Sequence, residues 1–216
     1  NYNINTRNSP FTRLSPNIKY VIIGEGITNI GDCLFTDCSN LINIVIPNSV
    51  ISIGSNAFCD SGITNISIPD SITRISESAF KFCNKLTDVV LPNSITTIET
   101  AMFSYCSKLN NIIIPNGVTS ILTSAFSGVN ITHIELPSGL TSINSRIFQD
   151  CASLSSITIP KTVTKIESSA FNNTSLETIY YKGSQSDWNN ISITSGYDEI
   201  FNADVYSEQT TLTKIQ

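Results

Sequence analysis

Charge is scarce in this chain. Lys and Arg number 12 and Asp and Glu 17 among 216 residues, 13% of the whole, for a net charge of −5. No run of Lys or Arg occurs. Nucleic-acid binding needs clustered positive charge to displace counterions from phosphates, so nucleic acid is excluded as a partner. Long apolar runs are also missing: none approaches the ~18 residues of a membrane-spanning helix, and no membrane insertion is expected within this stretch. Neither an initiator Met nor a charged-then-apolar leader opens the sequence, which reads as a piece excised from a longer protein. The six cysteines form no Cys-x-x-Cys pair, so a zinc site is not expected. The nearest approach to a phosphate loop, GEGITNIG at 24–31, leads into no amphipathic helix. No cofactor is expected.

What the chain has instead is Ile, Asn, Ser and Thr, and it spends them periodically. Pro47, Pro69, Pro92, Pro115, Pro137 and Pro160 are spaced by 22 or 23 residues. Phe35, Phe58, Phe80, Phe103, Phe126, Phe148 and Phe171 keep the same beat, as do Leu41, Ile63, Leu86, Leu109, Ile131, Leu154 and Leu176. Each unit reads L-x-x-I-x-I-P-x-S-V-T-x-I-x-x-x-A-F-x-x-C-x-x. That period is the mark of one supersecondary unit stacking on the next. In LINIVIP (41–47) the alternation of Ile44 and Ile46 signals a strand with one buried face. Stacking places such strands in a parallel ladder about 4.8 Å apart. Proline, which has no amide donor, belongs where the ladder ends. A second alternating stretch follows, as in SITTI at 94–98, and Ala-Phe then closes the unit through a tight helical or 3₁₀ turn with its ring filling the convex side. The fold class predicted is a right-handed repeat solenoid of strands and turns with little helix. Residues 18 to 181 hold seven full repeats and an eighth strand. Residues 1–17 cover the first turn or form a partial repeat, 182–206 form a C-terminal cap, and 207–216 are a tail or linker.

The strand heptad resembles the leucine-rich repeat, and its continuation I-P-x-S-V-T-x-I-x-x-x-A-F-x-x-C resembles the BspA-like branch of that family. Seven copies carry the resemblance, and YYKGSQSDWNNI (180–191) is similar to the ending these proteins place after their last repeat. The first turn departs from the pattern, with Gly24 at the Pro position and Leu34 in place of Ala. The resemblance implies a parallel sheet on a concave face that binds macromolecules, a setting at the cell surface or in secretion, and adhesion.

Apparent chemical groups dissolve into the register. Cys38, Cys83, Cys106 and Cys151 all stand three residues after the repeat Phe, where Ser61, Val129 and Thr174 stand in the other turns. Such a slot is small, buried and semi-polar, suited to thiols that donate weakly to carbonyls; Cys33 and Cys59 lie outside it. The turns with Ser61, Val129 and Thr174 are one residue shorter before the next strand. His133, the only histidine, falls in ITHIEL with Glu135 on the outward side, and Ser156 should lie one rung away. No strained turn presents a nucleophile there, and no oxyanion arrangement is visible. Asp88 and Glu135 lie two rungs apart, roughly 10 Å, on an open surface unsuited to paired-carboxylate hydrolysis. The five Asn-x-Ser/Thr sequons, at Asn65, Asn130, Asn172, Asn173 and Asn190, follow from composition.

The outward strand positions behave differently from the inward ones. They are Asn43 and Val45, Asn65 and Ser67, Asp88 and Val90, Asn111 and Ile113, His133 and Glu135, Ser156 and Thr158, Thr178 and Tyr180. Inward slots stay Ile, Leu or Val while these vary, which suits a recognition surface on a rigid frame. The expected function is a non-enzymatic, monomeric binding module taking a protein or glycan of a host or neighbouring cell. The alternative is a spacer that holds other domains away from the surface.

Overall fold

In a computed structural model, residues 11, 17–194, 200, 202–207 and 213–214 are described. Each turn of the solenoid carries two short strands. The first strands are β1 (Tyr20–Ile22), β3 (Asn43–Val45), β5 (Asn65–Ser67), β7 (Asp88–Val90), β9 (Asn111–Ile112), β11 (His133–Glu135), β13 (Ser156–Ile159) and β15 (Thr178–Tyr181). Their partners in the same turns are β2 (Asn29–Ile30), β4 (Ser52–Ile53), β6 (Arg74–Ile75), β8 (Thr97–Ile98), β10 (Ser120–Ile121), β12 (Ser142–Ile143), β14 (Lys165–Ile166) and β16 (Ser192–Ile193). Pairing between turns is parallel and in register, Ile134 opposite Ile157 and Ile157 opposite Ile179. The only helix among the described residues is α1 (Gln185–Asn189). The predicted strand-and-turn solenoid is what the chain forms.

The proline rule has a local reason. Each repeat proline ends a strand and its carbonyl accepts from the residue three on, as in Val50 N–H to Pro47 O at 3.1 Å and Val163 N–H to Pro160 O at 3.1 Å. The Ser of P-x-S then reaches back one rung: the Ser71 hydroxyl donates to Val50 O at 2.8 Å, and the Ser49 hydroxyl to Ile27 O at 2.9 Å. The signature residue therefore satisfies a carbonyl that the turn leaves unpaired.

On the convex side the repeat phenylalanines form one column. From Phe11 through Phe35, Phe58, Phe80, Phe103, Phe126 and Phe148 to Phe171, neighbouring rings stack with centroids 5.3–5.9 Å apart. Around them the backbone is neither helix nor strand. Residues two before and two after each repeat Phe take left-handed φ, as with Asn56 and Asp60 around Phe58, or Ala101 and Tyr105 around Phe103. The left-handed turns aim the Phe amide at the next rung, so Phe58 N–H donates to Ala79 O at 2.8 Å and Phe103 N–H to Ala125 O at 2.9 Å. One of these positions is glycine: Gly128 has φ +70, and a Cβ there would lie 2.6 Å from the Tyr105 ring. Tyr105 crosses that gap, and its hydroxyl donates to Asp150 Oδ2 at 3.0 Å, a bond that holds the phenol above its usual pKa.

The cysteine slot is as read. All six cysteines are free thiols. Cys83, Cys106 and Cys151 each donate at 3.0 Å to a carbonyl of the preceding turn, from Phe58, Phe80 and Phe126 respectively. Burial raises the Cys151 thiol to about 12, and burial, helped by neighbouring Cys83, Asp60 and Asp37, raises half-exposed Cys59 to about 11. A thiol held protonated is a poor nucleophile. Iodoacetamide at pH 8 should therefore label Cys33 first in the native protein and reach Cys83, Cys106 and Cys151 only on unfolding. Mass spectrometry giving equal native labelling would contradict the slot.

Both ends depart from the simple count of eight strands. Of residues 1–17 only Phe11 and Asn17 are described, and Phe11 extends the aromatic column. At the other end, strand pairing does not stop at Tyr181, and Ser207 and residues 213–214 are not a tail. A further strand, β17 (Asp204–Ser207), pairs parallel with β15, and β18 (Thr213–Lys214) closes on it antiparallel. The cause is another alternation, with Val205 and Ser207 buried and Asp204 and Tyr206 half-buried. The helix thus sits between the two strands of the eighth turn rather than over the end of the sheet. Its Ser184 cap and Asp187 form a reciprocal capping box. Trp188 and Ile191 are buried, and the Trp188 ring meets Tyr181 edge-on at 5.3 Å. Tyr197 and Phe201, expected in the cap, lie outside the described residues.

Candidate functional site

Alternation along the first strands decides which side chains reach solvent. In β3, β5, β7 and β11 the central residue is buried and its two neighbours are exposed. Asn43, Asn65, Asp88, Asn111 and His133 consequently form one exposed column, continued by half-buried Ser156, and Val45, Ser67, Val90, Ile113 and Glu135 form a second. Val45 is 54% exposed, Val90 64% and Ile113 77%. Tyr180 is half-buried, its ring 6.4 Å from that of His133 and 6.4 Å from that of Tyr206. Thr158 is the exception. It points outward but is buried, because it lies in the ladder between Glu135 and Tyr180 and the Lys182–Glu135 ion pair crosses its rung.

The His133 and Ser156 side chains do meet, with Nδ1 and the hydroxyl 2.9 Å apart. The contact lacks the rest of an acyl-transfer site. Ser156 lies on a flat strand, and its own N–H donates to Thr132 O at 3.2 Å, so that amide is not available to an oxyanion. Glu135 pairs with Lys182 rather than orienting the imidazole. Among the described residues, no group of three or more His, Cys, Asp or Glu is placed to hold a metal ion. No helix among them is long and apolar enough to cross a membrane.

Two depressions mark the face. One of about 690 Å³ is lined by Asn111, Ile113, His133, Glu135, Pro137 and Lys182 among others, and one of about 300 Å³ by Asp88, Val90, Asn93 and Ile113. Sequence reading found the strand positions and missed the walls. Lys182, Pro137, Pro160, Asn116 and Ser138 come from the strand ends and following turns, where the alternation rule is silent. Tyr20 and Ile22, 70% and 79% exposed, and Asp204 and Tyr206 extend the same columns.

The repeat matches a known one. The sequence model of the BspA type leucine rich repeat region matches residues 5–121 and 75–195, in six copies. The chain belongs to the BspA-type leucine-rich repeat family. A solved structure carries the same fold: a leucine-rich repeat protein from Bacteroides ovatus is 23% identical, with a TM-score of 0.62 over 90% of this chain and 58% of that one. A leucine rich cell surface protein from Faecalibacterium prausnitzii is 24% identical, with a TM-score of 0.43 over 84% of this chain and 64% of that one. A T. pallidum leucine-rich repeat protein is 24% identical, with a TM-score of 0.49 over 76% and 73%. This BspA-type chain thus spans less than two thirds of the length of the first two. Comparison with curated proteins gives no match.

Proposed function

We propose that this chain is a non-enzymatic binding module, displayed at a cell surface or secreted, that recognises a macromolecule through its concave sheet face and acts as a monomer. One observation carries the reading. The inward columns repeat as aliphatic residues while the outward positions vary along the sheet, and at Val90 and Ile113 they leave aliphatic side chains mostly in water. A sheet needing only solubility would be served by polar residues at those positions. The BspA-type repeats support a surface setting and adhesion to a protein or glycan of a host or neighbouring cell.

The test compares wild type with Val45→Lys/Val90→Lys and with Arg74→Glu, which lies on the second-strand side, on panels of immobilised extracellular-matrix proteins and glycans. The concave double variant should lose at least tenfold in affinity and the Arg74 variant none. Equal binding by all three would remove the concave face from the reading. No binding by wild type to any panel would favour a spacer role.

A further inference from the structure

We infer that the seat on this face is a trough crossing β7, β9 and β11, and that its occupant is an extended polypeptide segment carrying aliphatic side chains beside a basic one. The inference rests on the concave-face reading and narrows it to one class of ligand.

The trough has a structural cause. Both hydrogen-bonded ladders are interrupted between the fifth and sixth turns: β9 is not paired with β11, nor β10 with β12. The connection into β11 is one of the short ones, running from Phe126 to Ile131 in five residues where Phe103 to Leu109 takes six. The two depressions lie at that step. The two depressions share Asn111, Ile112 and Ile113, so they adjoin on the two sides of β9. Three rungs at about 4.8 Å each span four or five residues of an extended chain at about 3.3 Å per residue.

Its chemistry selects the occupant. Val90 and Ile113, 64% and 77% exposed, offer aliphatic area whose removal from water drives association. On either side stand the carboxylates of Asp88 and Glu135. The lysine of the larger depression, Lys182, is already bonded to Glu135, and His133 faces the Ser156 hydroxyl. Two carboxylates against one ammonium, on a chain of net charge −5, leave the trough negative, so a basic side chain is favoured and an anionic ligand repelled. The exposed amides of Asn111 and Asn116 each present a donor and an acceptor, the pair a peptide group needs. No Phe, Tyr or Trp lines either depression; the Tyr180 ring meets the outer side of His133 edge-on at 6.4 Å, and Tyr206 stands a rung further.

Three sets of synthetic decapeptides test this by biolayer interferometry: aliphatic with Lys or Arg, aliphatic with Glu, and Gly/Ser with Lys or Arg. An oligosaccharide panel runs beside them. Proteins are wild type, Asp88→Asn, Ile113→Ser, Tyr180→Ala and Arg74→Glu; the substituted Asp88 and Ile113 side chains are exposed, and circular dichroism checks each fold. The aliphatic–basic set should bind wild type at least tenfold more tightly than either other set. Ile113→Ser and Asp88→Asn should each weaken it about tenfold, with Arg74→Glu unchanged. Equal binding of the acidic set, indifference to Ile113→Ser, or no peptide binding at all would overturn the trough. An oligosaccharide bound by wild type and lost in Tyr180→Ala would overturn it while leaving the concave face in place. Peptide binding untouched by all three concave substitutions would overturn both readings.

Discussion

Phe103→Ala is expected to lower the free energy of unfolding by about 3–5 kcal/mol, the usual cost of emptying a buried aromatic site. Phe103 is fully buried and lies between Phe80 and Phe126, at 5.5 and 5.8 Å between centroids. The site cannot collapse, because the backbone around it is tied to the next rung by the Phe103 N–H to Ala125 O bond and held at left-handed φ at Ala101 and Tyr105. Phe82→Ala makes the matched control. That ring also stacks, on Tyr105 at 5.7 Å, but it is 39% exposed on the convex surface, and its loss should cost about 1 kcal/mol or less, the scale of a surface aromatic pair. Urea denaturation followed by circular dichroism compares them, with the m-value watched because long repeat arrays can lose two-state behaviour. Equal small costs would mean that the aromatic column is not the core of the solenoid.

Gly62→Ala should also destabilise strongly, by about 1–3 kcal/mol or more, as overpacking does. A Cβ at Gly62 would lie 2.1 Å from Ser39 O and 2.7 Å from Ser39 C. Both are backbone atoms of the preceding turn, so no side-chain rotation relieves the clash. Gly62 belongs to a short connection, and the missing residue brings the two chains together. Gly117→Ser is the converse. It occupies the P-x-S position, a Cβ there would meet Asn93 O at 3.5 Å and Ile95 O at 3.8 Å, and the equivalent Ser71 donates to Val50 O. The new hydroxyl should reach Ile95 O and stabilise by about 0.5–1.5 kcal/mol, a typical net hydrogen bond. Thermal melts of the pair would show opposite shifts, and a stabilised Gly62→Ala would refute the close approach.

Where the sequence repeats itself, the fold could be read from it. Strict recurrence of Ile, Pro and Phe carries the ladder, its proline stops and the aromatic column, because each feature is one side chain in one slot of every turn. The thiol slot was legible for the same reason. Reading failed where the period ends. The strand Asp204–Ser207 straddles the expected cap (182–206) and tail (207–216), because DVYS lacks the Leu and Pro that flag the other strands, and the pairing of β17 with β15 is a tertiary fact. The site divides the same way. Outward columns such as Asn111 and Ile113 follow from period two, but Lys182 joins Glu135 from two rungs away, and burial of Thr158 depends on that crossing.

The convex arc has a consequence for how such a chain can change over generations. Its rung-to-rung bonds join main-chain atoms, Phe35 N–H to Ala57 O and Phe148 N–H to Ala170 O alike, so along this arc the joints between turns repeat one another. A gene segment encoding 22 or 23 codons can be copied or excised in frame anywhere between Phe58 and Phe148, and the new junction meets the same partners it would have met before. Length can drift by unequal recombination without the scaffold being reinvented. Meanwhile the outward columns accumulate substitutions almost free of folding constraint, so length and exposed face can vary as independent characters.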